Sequence, residues 1–159
     1  MSEDILTRRN GPVLEITFNR PEQGNAASDE MAAELTRLLE GAAASSSLVI
    51  LRGAGKDFCI GRASMGKPPA GPIEALERRR SLEVIFNCYG AFRNSAIPIV
   101  GVVQGRALGF GCALAALCDM TIAGDGATFQ VPEMGHKILP TVVMSAFIDR
   151  VPRKAFTYL

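Results

Sequence analysis

The run Ile97–Val103, IPIVGVV, reads as a buried strand, and it ends at a turn carrying Gly105, Gly109 and Gly111 before an apolar alanine- and leucine-rich stretch resumes. A strand that feeds a helix through a glycine turn calls for an α/β fold, with the two kinds of element alternating along the chain. The turn also makes a place for a ligand. Glycine lets backbone approach closely, and the first N–H groups of the new helix lack partners and lie at its positive dipole end. Such a turn can bind an anion or stabilise a developing oxyanion.

Three uses of the turn are open at this level. The glycines can serve packing alone, letting a helix sit close on a strand. They can hold a dinucleotide, because Gly105-x-x-x-Gly109-x-Gly111 has the spacing of NAD(P)-dependent short-chain dehydrogenases. The position deep in the chain weakens that reading, and no Tyr-x-x-x-Lys pair follows, since Tyr158 precedes a single residue. The third use, an oxyanion hole, needs a second donor. The loop Asp57–Ser64, DFCIGRAS, offers one, because it also follows a strand directly and strand C-termini gather ligands in α/β proteins. Downstream, Pro132-Glu133 supplies a carboxylate that a helix start or turn would aim.

The remaining elements alternate in the same way. Val13–Phe18 reads as a strand, followed by a helix with Ser28 as N-cap, Asp29 and Glu30 in the first turn, and Gly41 as the residue past its end. Met31, Leu35, Leu38 and Leu39 form its apolar face. Ser47–Arg52 reads as a strand covered on both sides. The glycine- and proline-rich segment after it reads as a long loop, and Pro72 opens a helix to about Phe92 with Leu76, Ile85, Tyr89 and Phe92 inward. Cys118–Ala123 reads as a strand, and short segments around Thr128–Gln130 and a helix over 142–149 complete the chain. Pro152 looks like the start of another helix, yet the pattern stops at Leu159, so a truncated chain is expected.

Bulk properties exclude several classes. A length of 159 residues fits one domain, 1–159, with a sizeable core. Seventeen basic against sixteen acidic residues give nucleic acid or a membrane surface nothing to attract. The N-terminus lacks the apolar core of a secretory signal, and the apolar run 107–117 is too short to span a bilayer, so a cytoplasmic location is expected. Cys59, Cys88, Cys112 and Cys118 show no metal-ligand spacing and read as small buried hydrophobes. No metal is expected.

Several segments taken together carry a resemblance: ITFNRPEQGNAASDEM, LVILRGAGKDFCIGRAS, the long run from IPIVGVV to GHKILP, and VVMSAFIDRVPRKA. In this order they resemble the enoyl-CoA hydratase/isomerase (crotonase) superfamily over essentially the whole chain. The resemblance implies a crotonase-like spiral of β-β-α turns, here lacking the C-terminal helical region, with trimers or hexamers as assemblies. It implies acyl-CoA thioester substrates and no separate cofactor, coenzyme A entering as part of the substrate.

Family roles fall on particular residues. The resemblance puts the oxyanion donors at the Ile60 and Phe110 backbone amides and the base at Glu133. Ala26, Ile60, Arg62 and Gly109 fall where the substrate or its CoA is held. Phe110 replaces a usual glycine, which narrows the acyl pocket. Ala113 stands where hydratases carry a second glutamate, and it holds no proton. One base suffices to move a double bond, removing a proton at one carbon and returning it at another, so isomerisation is expected first and hydration close behind. Lys137 stands where glycine is common and Ala63 where aspartate is frequent. His136 and the run Arg78–Arg80 read as surface residues. A catalytically inert fragment, acting only in binding or assembly, is the alternative.

Overall fold

A computed structural model describes residues 3–63 and 74–158 of the chain. Its main sheet has five strands in the order β1-β2-β3-β4-β6: β1 Ile5–Asn10, β2 Val13–Phe18, β3 Leu48–Gly53, β4 Ile99–Val103 and β6 Met120–Ala123. β1 and β2 form an antiparallel hairpin, and every later pairing is parallel. A second, two-stranded sheet pairs β5 Arg106–Leu108 with β7 Thr128–Gln130.

β1 was not foreseen. Its sequence, ILTRRN, is polar, and only Ile5 reaches the core, so it has no alternating pattern to betray it. It forms because β2 offers a full register of partners from Ile5↔Phe18 to Asn10↔Val13. β2 alternates cleanly, with Leu14, Ile16 and Phe18 inward. β3 corrects an expectation: only Val49, Leu51 and Gly53 are buried, while Arg52 on the other face is exposed. One face of the sheet is therefore fully buried, and the other is half-buried over its central strands.

Helix α1, Asp29–Ala42, covers the buried face together with α3, Glu83–Arg93. Ser28 caps α1 as expected, its Oγ accepting from the Met31 amide at 3.2 Å. The expected stop at Gly41 is not used. The helix runs through it to Ala42, because nothing packs there to demand a left-handed turn. The single helix expected from Pro72 is two: α2 Ala75–Arg80, then α3 after a break at Ser81-Leu82. Pro72 lies outside the described residues. Ile85, Tyr89 and Phe92 are buried as expected, but Leu76 is 62% exposed, since α2 turns away from the core that α3 enters.

Helix α4, Phe110–Leu117, is buried almost all round, which explains its lack of a polar face. Helices α5 Thr141–Phe147 and α6 Arg153–Phe156 follow, with Phe147 resting on Phe156 at 5.1 Å between ring centres. Among the described residues no helix is long and apolar enough to cross a membrane.

Candidate active site

Two strand ends carry the site. β3 runs out into the loop from Ala54 to Ala63, and β4 into β5 and the N-terminus of α4. The loops are sewn together side by side. Cys59 pairs with Ala107, donating to the Arg106 carbonyl and accepting from the Leu108 amide. The Asp57 carboxylate accepts from the Arg106 backbone amide at 3.0 Å, from Nε at 3.0 Å and from Nη2 at 2.8 Å. That guanidinium holds the Asp57 carboxyl below its ordinary value. Buried Asn25 joins the first loop to the segment before α1, donating to the Ala54 and Asp57 carbonyls and accepting from the Arg20 amide. Gln104 donates to Gly53 and Gly55.

Gly109 and Gly111 each answer a demand that only glycine meets. Gly109 sits at φ 49°, ψ −112°, and a Cβ there would lie 3.1 Å from Glu133 Oε1. A Cβ on Gly111 would collide with the Cys59 carbonyl. α4 therefore starts pressed against the first loop, and the Phe110 amide, at the first helical position, has no intrahelical partner. Among the described residues it donates to no other backbone group either.

The second donor needs a correction. The Ile60 amide donates to the Gly24 carbonyl at 3.0 Å, so its hydrogen is already engaged inside the protein. Two residues on, the Gly61 carbonyl accepts from the Ala27 amide at 2.8 Å, and the Ala63 amide donates back to the Ala27 carbonyl. In that parallel bridge the Arg62 amide is left out. The peptide is trans, so aiming the Gly61 carbonyl at Ala27 turns the Arg62 N–H the opposite way, toward the side where Cys59 meets β5. The Arg62 amide, unlike that of Ile60, donates to no backbone group among the described residues. Alternation along the loop, read together with a partner strand at Ala26-Ala27, was the signal that would have found it.

Glu133 lies in a short 3-10 helix, Pro132–His136, with proline at its first position. Its Oε1 faces Gly109, and its Oε2 is buried with no hydrogen-bond partner. Burial pushes the Cys112 thiol up to about 12, and the Glu133 charge nearby adds to that shift. The Tyr89 hydroxyl is raised for the same reasons, burial first, and it feels both Glu133 and Arg62. Tyr89 stacks on Phe110 with ring centres 5.9 Å apart and planes 19° apart. The pair fills the space that a glycine at position 110 would leave open.

The other expected residues gather beside these. Ala26 is buried, Ile60 packs its side chain over Gly24, and Arg62 bridges to Ala27, so the three share one edge of the site. The Arg62 guanidinium pairs with Asp29 at 2.6 Å, while its Nε is buried without a partner. Ala113 is fully buried at the position of the absent second acid. Lys137 sits at φ 58°, in the left-handed region, which is the physical reason a glycine suits that place. The side chains of His136 and Arg78 lie outside the described residues, as do residues 64–73.

The family model for enoyl-CoA hydratase/isomerase matches residues 8–157. The chain belongs to the enoyl-CoA hydratase/isomerase family. Among its relatives, a 2,3-dehydroadipyl-CoA hydratase of Escherichia coli is 33% identical over 144 residues, covering 88% of this chain and 53% of the relative. An enoyl-CoA hydratase of Alternaria alternata, AFT6-1, is 35% identical over 139 residues, covering 86% of this chain and 44% of its own length. The solved structure of Pseudomonas aeruginosa AtuE superposes with a TM-score of 0.87 at 31% identity, over 99% of this chain and 62% of that one. An enoyl-CoA hydratase/isomerase from Marinobacter aquaeolei gives a TM-score of 0.86 at 28% identity, over 99% and 62%. This chain thus has the crotonase fold and spans between 44% and 62% of the length of these relatives.

Proposed function

We propose that the chain binds an acyl-CoA thioester and moves a proton on the carbon next to the thioester. The thioester oxygen sits between the Phe110 and Arg62 amides, and Glu133 is the base. The observation that carries this reading is the seating of the Glu133 carboxylate against Gly109, one residue before the Phe110 amide, with its second oxygen buried and unpartnered. A base beside an unengaged helix-start amide is what enolate chemistry requires. The amide stabilises the charge that appears on oxygen when the base removes the proton, and one such donor is worth roughly 3–4 kcal/mol.

The single carboxylate favours double-bond isomerisation. Glu133 takes a proton from C2 of a 3-enoyl-CoA, the electrons delocalise onto the thioester oxygen, and the proton returns at C4. Ala113 offers no second acid for the addition of water. Hydration is the second reading, favoured by the relatives that bear hydratase names. Assembly into trimers or hexamers is proposed from the exposed apolar side chains on β6 and beyond, among them Met120, Ile122, Met134 and Leu139. Sedimentation at micromolar concentration checks it: a monomer contradicts it.

The test of the chemistry is Glu133→Gln, assayed in parallel for 3-enoyl to 2-enoyl conversion and for 2-enoyl hydration. The expected result is loss of the wild-type activity by about 10²–10⁴-fold. Full activity in the variant removes Glu133 from the mechanism. A wild-type protein that neither binds acyl-CoA nor turns over either substrate supports the inert, binding-only alternative.

A further inference from the structure

Away from the strand-end loops, a groove of about 340 Å³ runs between the β1-β2 hairpin and the last turns of α1. Register explains its make-up. Arg9 lies opposite Leu14 in the hairpin, so both side chains stand on the face that α1 covers. On the helix, Arg37 and Gly41 are four residues apart, as are Leu38 and Ala42, so both pairs turn to the hairpin. Leu14 and Ala42 are buried and Leu38 is half-buried, which puts apolar surface beside the guanidinium groups.

Those groups are held in place but not used up. Arg9 gives Nη1 to the Ser45 carbonyl and the Ser46 hydroxyl, both at 2.9 Å, which leaves its Nε–H and Nη2–H donors. Arg37 gives Nε and Nη2 to Glu34, at 3.2 and 2.5 Å, which leaves Nη1. Arg8 also lines the groove. Among the described residues, Arg37 alone of the three has a carboxylate partner, so positive charge is in excess. Gly41 fits the same picture. It is helical, alanine would suit a helix better, and a Cβ there would meet nothing within 4 Å. Its want of a side chain keeps the groove open.

We propose that this groove binds a phosphate monoester, with the dianionic head on Arg9 and Arg37 and the carbon body on Leu14, Leu38 and Ala42. Guanidinium donors reaching from a strand and from a helix suit a tetrahedral head with three free oxygens; a planar carboxylate engages fewer of them. The groove is separate from the thioester site and does not depend on that reading. Gly41 stands twelve residues beyond Asp29, the partner of Arg62, which is about 18 Å along α1.

Titration calorimetry of the whole chain at pH 8 with phenyl phosphate, inorganic phosphate and benzoate tests the proposal. Phenyl phosphate should bind about tenfold or more tighter than either of the others, since it alone brings both the dianion and the apolar body. Arg9→Gln and Arg37→Gln should each weaken it about tenfold, the worth of one hydrogen bond to a charged donor. Gly41→Leu should abolish binding by filling the groove, with the melting temperature unchanged or raised. Arg52→Gln makes the same charge change on the opposite face of the sheet and should leave the affinity within about twofold. Absence of phenyl phosphate binding at millimolar concentration overturns the proposal, as does an affinity that survives the Arg9, Arg37 and Gly41 variants. Benzoate or inorganic phosphate binding as tightly as phenyl phosphate overturns the assignment of the ligand. An equal loss in Arg52→Gln overturns the site, because the attraction then belongs to the charge of the whole chain.

Discussion

The strand-end loops that carry the Arg62 and Phe110 amides are anchored by a buried stretch, Asp57–Cys59, and cross-linked several times over, whereas the segment from Met120 to Tyr158, which carries Glu133, is mostly exposed. In the first region Cys59 is wholly buried, Asp57 makes three bonds to Arg106, and Gly111 leaves no room for a methyl group against the Cys59 carbonyl. In the second, every residue of β6 is exposed and Ile122, Met134 and Leu139 face outward. Donors placed by backbone must be right to a fraction of an ångström, and a rigid frame supplies that. A carboxylate on a long side chain needs less. β7 joins the second region to the glycine turn, the Gly109 amide donating to the Gln130 carbonyl, and Glu133 then reaches the chemistry through its contact with Gly109.

Glu133→Gln should break the comparison hardest. Activity falls by about 10²–10⁴-fold, while chemical denaturation shows stability unchanged or slightly raised, since a neutral amide replaces a carboxylate whose buried oxygen has no partner. A stability loss comparable to that of a core substitution would mean that this segment is as firmly built as the loops. Gly111→Ala comes next. The added Cβ meets the Cys59 carbonyl, and a cost of about 1–3 kcal/mol in stability is expected with a fall in turnover, because α4 must lift away from the first loop. Unchanged melting and turnover would show that the loops tolerate the displacement.

The Asp57 clamp gives a pH signature. Its carboxyl titrates below the ordinary value of 3.8 in the fold because of Arg106. The sign follows from linkage: the contribution is present above the unfolded-state value and is lost as pH falls through the lower folded-state value. Denaturation from pH 6 down to about 2 should show this loss in the wild type and a shallower one in Asp57→Asn. Equal slopes would remove Asp57 from the frame. The smallest effect belongs to the open region: Ile122→Thr on β6 should shift stability by less than about 0.5 kcal/mol in the isolated chain. A larger loss in a species that sediments as a trimer or hexamer supports the assembly proposed above, whereas a larger loss in a monomer would mean that the strand is more firmly built than its exposure indicates.

The site was partly legible from sequence. Ser28, the strand–glycine–helix turn and the Pro-Glu pair are local signals, and each element appears where its residues put it. What could not be read depends on partners distant in sequence. β1 is a strand because β2 pairs with it, not because ILTRRN prefers to be one. The Ile60 amide is lost to Gly24, and the Arg62 amide is released by the bridge at Ala27. No spacing within DFCIGRAS reveals either. The same holds for the partner of Phe110: its stacking on Tyr89, twenty-one residues earlier, is not readable from the turn alone.

The most direct test of the account is a crystal structure of the protein with a saturated acyl-CoA bound. The account predicts the thioester oxygen at roughly 2.7–3.1 Å from both the Phe110 and the Arg62 amides, with the Ile60–Gly24 bond intact and the Glu133 carboxylate facing the carbon next to the thioester. A thioester oxygen bound to the Ile60 amide, or lying out of reach of Phe110, would contradict it.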